Sequence, residues 1–137
     1  MKVKLLHPKA KLPSKGTADS AGYDISLIED AEIAPGETKK LPSGLAVALP
    51  PMTWGMIRSR SSSNAKGLRF DGVIDSDYRG EVKLVCTNVG KETQRLEAGR
   101  CYAQLIVMLL LDTRVEQAET LDDTARGAGG FGSTGNS

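Results

Sequence analysis

The sequence predicts an all-β domain, a sandwich or a barrel built from short strands. Two observations carry this. Turn residues recur about every ten positions between short apolar runs, the spacing of such folds. No stretch sustains the 3.6-residue apolar stripe of a long helix. At 137 residues the chain fits one domain, long enough to bury a real core.

The elements follow in order. Val3 to Leu6 alternates apolar with basic residues. Tyr23, Ile25 and Leu27 alternate with Asp24, Ser26 and Ile28, a half-buried strand. Pro35-Gly36 marks a turn. Leu45 to Leu49 is a small apolar strand stopped by Pro50-Pro51, and Thr53 to Ile57 is another. Ser61 to Lys66 is the best helical candidate, a single turn whose serines would cap the exposed amides. Asp71-Gly72 between apolar flanks predicts a β-hairpin with its tip at that pair, since a tight turn needs positive φ there. Glu81 to Val89 alternates, with Val82, Leu84 and Cys86 on one face. Leu105 to Leu111 is continuously apolar, which implies a strand covered on both faces, by the core and by another subunit. A buried helix segment is the alternative. From Thr113 the chain turns polar, and Arg126 to Gly135 contains five glycines, a composition that cannot build a core. The expected organisation is a β domain over 1–124 and a Gly-rich tail over 125–137.

Composition narrows the chemistry. With 18 basic and 17 acidic residues the net charge is +1, without the basic excess of a nucleic-acid binder. No apolar run approaches membrane-spanning length, and Met1 to Leu12 has no apolar stretch of a signal peptide. Cys86 and Cys101 lie in apolar runs and read as reduced, buried thiols. A reducing compartment follows: the cytoplasm, or the host-cell interior or nucleus for a viral or eukaryotic chain. His7 is the only histidine and precedes Pro8. A Ser-His-Asp triad or a His-rich zinc site is therefore disfavoured, and a general base would be a carboxylate.

Several segments could carry that chemistry. In the tail, glycines would free backbone amides for an anion, Arg126 would fork onto phosphate, Ser133 and Thr134 add hydroxyls, and Phe131 offers a plane for a base. A plain flexible tail fits the same spacing. Arg58 to Ser63 interleaves two arginines with serines, which suits an anion or a solvated loop. Asp75 and Asp77 point the same way if the segment is extended, and would then divide acid and base roles. A charged turn is the alternative. Asp24 and Gln104 are single polar residues in apolar strands, which more often face water.

Together these segments resemble the trimeric dUTP pyrophosphatase family, whose five motifs appear in family order. They are Ala21-Gly22-Tyr23-Asp24-Ile25, Ser59-Arg60-Ser61-Ser62, Gly72-Val73-Ile74-Asp75-Ser76-Asp77-Tyr78-Arg79-Gly80, Gly99 to Leu105, and Arg126 to Gly135. The third and fifth are the most specific. The resemblance implies a jelly-roll-like β-barrel, a homotrimer whose C-terminal tail is exchanged between subunits, and hydrolysis of dUTP to dUMP and pyrophosphate. By similarity, Asp75 activates the attacking water. Arg60, Ser61, Ser62 and Gln104 hold phosphates. Backbone groups about Asp71, Gly72, Val73 and Ile74 read uracil, and Tyr78 underlies the deoxyribose. Arg126 reaches the γ-phosphate, Phe131 stacks on the base, and Gly132 and Ser133 complete the clamp. Lys83 comes near a neighbouring nucleotide site. Mg²⁺ is the implied cofactor, held by the triphosphate with Asp24 acting through water. Implied partners are dUTP and two further copies of the chain, with no membrane and no direct nucleic acid; some family members also bind a regulatory protein.

Two features depart from the family pattern. The stretch from Arg60 to Asp75 is slightly shorter than in many members, and Ser62-Ser63 stands where many carry a glycine or serine followed by leucine. A deaminase of the dCTP type shares the fold, but the third and fifth motifs argue against it. A nucleotide sensor on the same scaffold, or a jelly-roll shell protein, would dispense with Asp75 and the tail.

Overall fold

The computed structural model describes residues 1–130. It has ten strands and one short helix: β1 (Lys2–Leu5), β2 (Gly22–Ser26), β3 (Ala31–Ile33), β4 (Thr38–Leu41), β5 (Leu45–Ala48), β6 (Thr53–Ser59), α1 (Ser61–Ala65), β7 (Leu68–Ile74), β8 (Leu84–Asn88), β9 (Gln94–Leu96) and β10 (Cys101–Leu109). A six-stranded sheet runs in the order β2-β10-β6-β7-β8-β4, and β1-β5 and β3-β9 form two-stranded sheets. Every pairing is antiparallel. One core draws on all three sheets, with Val47, Ile33 and Leu96 from the small ones and Ile25, Ile57, Phe70, Leu84 and Leu105 from the large one. The result is an all-β barrel of jelly-roll type.

Alternation explains why these segments are strands. In β8 and the residue pair before it, Val82, Leu84 and Cys86 are all fully buried, and Lys83 between them faces out. Each such side chain withdrawn from water contributes about 1.5–3 kcal/mol. Buried Asn88 donates to the carbonyls of Ile33 and Glu92, at 2.9 and 2.8 Å, and accepts from Gly90 N–H, so this polar residue ties β8 to β3 and the following loop.

β10 lies between β2 and β6 and follows the same rule. Ala103 and Leu105 point into the core, whereas Gln104, Ile106 and Met108 lie on the outer face. The strand stops at Leu109 rather than Leu111. Leu110 N–H still reaches Met52 C=O at 2.9 Å, but Leu109 and Leu111 are more than four-fifths exposed. Register places Met108 opposite Trp54, Ile106 opposite Met56, and Met56 opposite Val73. The outer face of the large sheet thus carries a continuous apolar area at one end. One step along, a polar row of Asp24, Gln104, Arg58 and Asp71 crosses the same face.

The structure corrects the expected hairpin. Asp71 and Gly72 are not a turn but the middle of β7, pairing with Arg58 and Ile57 of β6, and Asp71 also pairs with Val85 of β8. Local turn preference loses to a ladder on both sides. The reversal between β6 and β7 is made instead by residues 60–67, where Gly67 adopts φ 78° and sits against Gly90 too closely for any side chain. Ser59 Oγ stitches the base of this reversal, accepting from Phe70 N–H at 2.8 Å and donating to Leu68 C=O at 3.0 Å.

The helical turn at Ser61–Ala65 is present, but its N-cap is Arg60 and no side chain caps it. Ser63 turns inward instead and is buried. Among the described residues, no helix is long and apolar enough to cross a membrane. Beyond β10 residues 111–128 are exposed and carry no strand or helix.

Candidate active site

The predicted phosphate residues converge at one end of the large sheet. Asp24 on β2 is the register partner of Gln104 on β10, which in turn faces Arg58 on β6. Gln104 Nε2 donates to Ser59 C=O at 3.3 Å. Its side chain lies directly over Gly22, so closely that a Cβ there would collide with the carboxamide. Gly22, named in the sequence only as part of the first motif, thus leaves room for the Gln104 carboxamide beside Asp24; its place two residues before Asp24, on the same strand face, was the available signal.

Arg60 leaves the end of β6 and turns back. Its Nε donates to Asp24 Oδ1 at 3.1 Å, and its Nη1 donates to Cys101 C=O at 3.1 Å. Its own N–H bonds to Tyr102 C=O at 3.0 Å. Two guanidinium bonds and one backbone bond thus tie Arg60 to β2 and β10, and its side chain remains partly open to solvent. This ion pair was also not expected, because only the β2-β10-β6 strand order brings residues 24 and 60 together. Ser61 and Ser62 follow on the exposed first turn of α1.

Asp75 and Tyr78 lie elsewhere. β7 runs antiparallel to β6, so Ile74 pairs with Gly55, five positions before Arg60. At roughly 3.3 Å per residue, Asp75 stands about 16 Å or more from Arg60 within one chain. Residues 75–78 form a turn closed by Tyr78 N–H to Asp75 C=O at 3.1 Å. Asp75 and Asp77 therefore straddle a turn rather than share one side of an extended segment. Tyr78 folds back over Gly80, where any side chain would strike the ring, and its hydroxyl donates to Glu81 C=O at 3.0 Å. Glu81 anchors the loop by accepting from Gly44 N–H at 2.9 Å. Tyr78 remains nearly half exposed, and Asp75 is exposed.

Gly72, Val73 and Ile74 lie on β7, with Val73 on the outer face and Ile74 in the core. Arg126 donates through Nε to Gly129 C=O at 2.9 Å, within two successive turns over residues 124–129. Phe131, Gly132 and Ser133 fall outside the described residues. Both cysteines are free. Burial raises the Cys101 thiol, with the nearby Asp24 charge adding to the shift and Arg60 and Lys11 opposing it.

Among the described residues no three His, Cys, Asp or Glu side chains cluster as metal ligands. Asp24 offers one carboxylate, with Oδ1 engaged by Arg60. That donor set fits a cation whose direct ligands come mainly from a bound phosphate chain.

Residues 8–135 match the dUTPase family model. The chain belongs to the dUTPase family. It is 41% identical to the deoxyuridine 5'-triphosphate nucleotidohydrolase of Gloeothece citriformis, over 98% of this chain and 96% of that protein. It is 43% identical to the Wolinella succinogenes protein of the same name, over 100% and 96%. Among solved structures, the dUTPase of Staphylococcus bacteriophage 80alpha with dUPNHPP superposes with a TM-score of 0.92 at 27% identity, covering 98% of both chains. A variant dUTPase of phage phi11 of S. aureus, described for the coordination of a structural Mg(II) ion, shares the fold with a TM-score of 0.82 at 23% identity, over 89% of this chain and 98% of that one. Membership of the dUTPase family makes the chain a dUTP diphosphatase, a hydrolase of nucleotide metabolism.

Proposed function

We propose that the chain hydrolyses dUTP to dUMP and pyrophosphate, with Mg²⁺, in active sites shared between the subunits of a homotrimer. One observation carries the shared site. The phosphate-side group of Asp24, Arg60, Ser61, Ser62 and Gln104 and the Asp75–Tyr78 turn lie at opposite ends of β6 and β7. A single nucleotide can meet both only if they come from different chains. The apolar outer face around Trp54, Met56, Val73, Ile106 and Met108 supplies a surface for such packing, and a closed cyclic oligomer would bury it.

Each residue then has a task. Arg60, Ser61, Ser62 and Gln104 hold phosphate oxygens, and the strand-end bonds of Arg60 orient its guanidinium in advance. Asp75 of a neighbouring subunit takes a proton from water, whose oxygen bonds to the α-phosphorus as the bond to the bridging oxygen breaks and pyrophosphate departs. Backbone groups of Gly72, Val73 and Ile74 read the uracil edge, and Tyr78 lies under the deoxyribose and leaves no room for a 2′-hydroxyl. Lys83 approaches a neighbouring nucleotide. Residues 125–137 form the tail that closes over the site, with Arg126 on the γ-phosphate, Phe131 on the base, and Gly132 and Ser133 on the phosphates. Asp24 would hold Mg²⁺ through water, and the bound ion would offset charge on the triphosphate. The reaction limits uracil entry into DNA and supplies dUMP for dTMP synthesis, in the reducing cell interior that two free thiols suit.

The test is product analysis with Mg²⁺ over a panel of dUTP, dTTP, dCTP and UTP. The expected result is dUMP and pyrophosphate from dUTP alone. Ammonia release from dCTP, or no turnover by an intact trimer, would overturn the assignment.

A further inference from the structure

The segment from Asp75 to Glu81 carries two residues of the proposed reaction, Asp75 and Tyr78, and it is braced from within. Arg79 donates through Nη1 to the carbonyls of Ser76 and Tyr78, at 2.7 and 2.9 Å, and Tyr78 N–H closes on Asp75 C=O at 3.1 Å. Its link to the barrel runs through its last residue. Among the described residues, Glu81 is the one side chain of this segment that bonds outside it, accepting at Oε1 from Gly44 N–H at 2.9 Å. The backbone of Glu81 also bridges Ala46 on β5.

The turn that receives Glu81 is fixed by packing. Gly44 adopts φ 68°, and a Cβ there would meet Ala10 and His7 at 2.9 and 3.0 Å. Ser43 beside it is fully buried. Its Oγ donates to Val82 C=O and accepts from Leu45 N–H at 3.2 Å, while Val82 N–H reaches Leu45 C=O at 2.7 Å. A carboxylate on such an amide makes one of the stronger hydrogen bonds. The same residue holds the sugar platform, since Glu81 C=O accepts from the Tyr78 hydroxyl at 3.0 Å and the ring lies over Gly80.

We propose that Glu81 is a positioning residue that sets sugar selectivity. Its carboxylate, held by the Gly44 amide, fixes the Tyr78 ring as an unyielding wall against a 2′-hydroxyl. This rests on the dUTP reading given above. A wall rejects one added oxygen only if it does not move, and a displacement of about 1 Å can cost on the order of 10²-fold in catalysis. Glu81 acts through Tyr78, with its carboxylate turned to the β4–β5 turn, and the internal bonds of Arg79 carry the same restraint to Asp75.

The experiment compares the whole native chain with Glu81→Ala and Glu81→Gln. Hydrogen exchange at the Tyr78 amide is read by NMR, and kcat/KM is measured for dUTP and for UTP with Mg²⁺. In Glu81→Ala the Tyr78 amide is expected to exchange about tenfold faster, the factor that loss of a hydrogen bond to a charged group implies. The dUTP-to-UTP ratio of kcat/KM is expected to fall by about the same factor or more. Glu81→Gln, whose carboxamide oxygen accepts the same bond, is expected to restore both. A merely structural role would scale both substrates alike. An unchanged ratio, unchanged Tyr78 exchange, or a loss that Glu81→Gln does not repair would therefore overturn the proposal. If Glu81→Ala fails to fold, Glu81→Asp, which keeps the charge and shortens the reach, decides by the same two readings. A native protein that leaves dUTP intact would overturn the functional reading instead, and the exchange rates would still test the anchor.

Discussion

The proposed reaction places its chemistry on Asp75, a residue with little structural commitment. It is exposed, stands just past the end of β7, and contributes only its backbone carbonyl to the turn at Tyr78. Asp75→Asn is therefore expected to leave fold and dUTP affinity intact while turnover falls about 10²- to 10⁴-fold, the usual worth of a positioned general base. Calorimetric binding beside steady-state kinetics checks this, and near-native turnover would remove Asp75 from the mechanism. Cys86 is the opposite case, a buried thiol with a structural role. Burial pushes it up to about 12 from an ordinary value of 9.0. Between those values the unfolded thiol loses its proton and the folded one keeps it, so the unfolded chain binds fewer protons and stability falls as pH rises. The denaturation midpoint is expected to drop as pH passes 9, less steeply in Cys86→Val. Equal slopes in the two proteins would show that other groups cause the drop. At this scale the sequence was informative about chemistry and silent about neighbours. Asp75, Arg60 and Gln104 could be picked out from motif order, whereas the Arg60–Asp24 pair and the contact of Gln104 over Gly22 depend on strand order, which no local pattern encodes.

Strands with one buried face were legible because a period of two leaves a clear trace. Val82, Leu84 and Cys86 were expected on one face and are fully buried there. The Asp71-Gly72 pair was misread for a physical reason. A dipeptide that favours a tight turn was given strand geometry by partners on both sides, Arg58 and Val85, while Gly67 made the reversal. α1 was foreseen as a turn of helix, but Ser61 and Ser62 face solvent, Ser63 is buried, and no side chain caps it. The C-terminal segment tests element and function apart. Residues 111–128 are exposed and contribute no strand to any sheet, so the barrel's hydrogen bonding and core stand without them. Truncation after Thr124 is expected to leave a folded trimer with little dUTPase activity. Sedimentation together with the product assay checks both halves, and a monomeric truncation product would make the tail a structural strap.

At the scale of the molecule, the position of Asp75 relative to Arg60 decides how the proposed sites would be built. The ladder of β6 on β7 fixes Ile74 beside Gly55, and no side-chain motion spans the five strand positions that remain to Arg60. The apolar outer face of the same sheet lies between the two groups, where a subunit contact would bring one chain's Asp75 toward another's Arg60. Two inactive variants should then rescue each other. Asp75→Asn keeps its arginine, Arg60→Ala keeps its aspartate, and a mixed trimer contains sites that draw one intact residue from each. If equal amounts are unfolded together and reassembled at random, about a quarter of the sites receive both intact residues, so activity should return to about a quarter of native. The same mixture held below the rate of subunit exchange stays inactive. A site contained within one chain would give no recovery at any mixing ratio, because every chain carries one lesion.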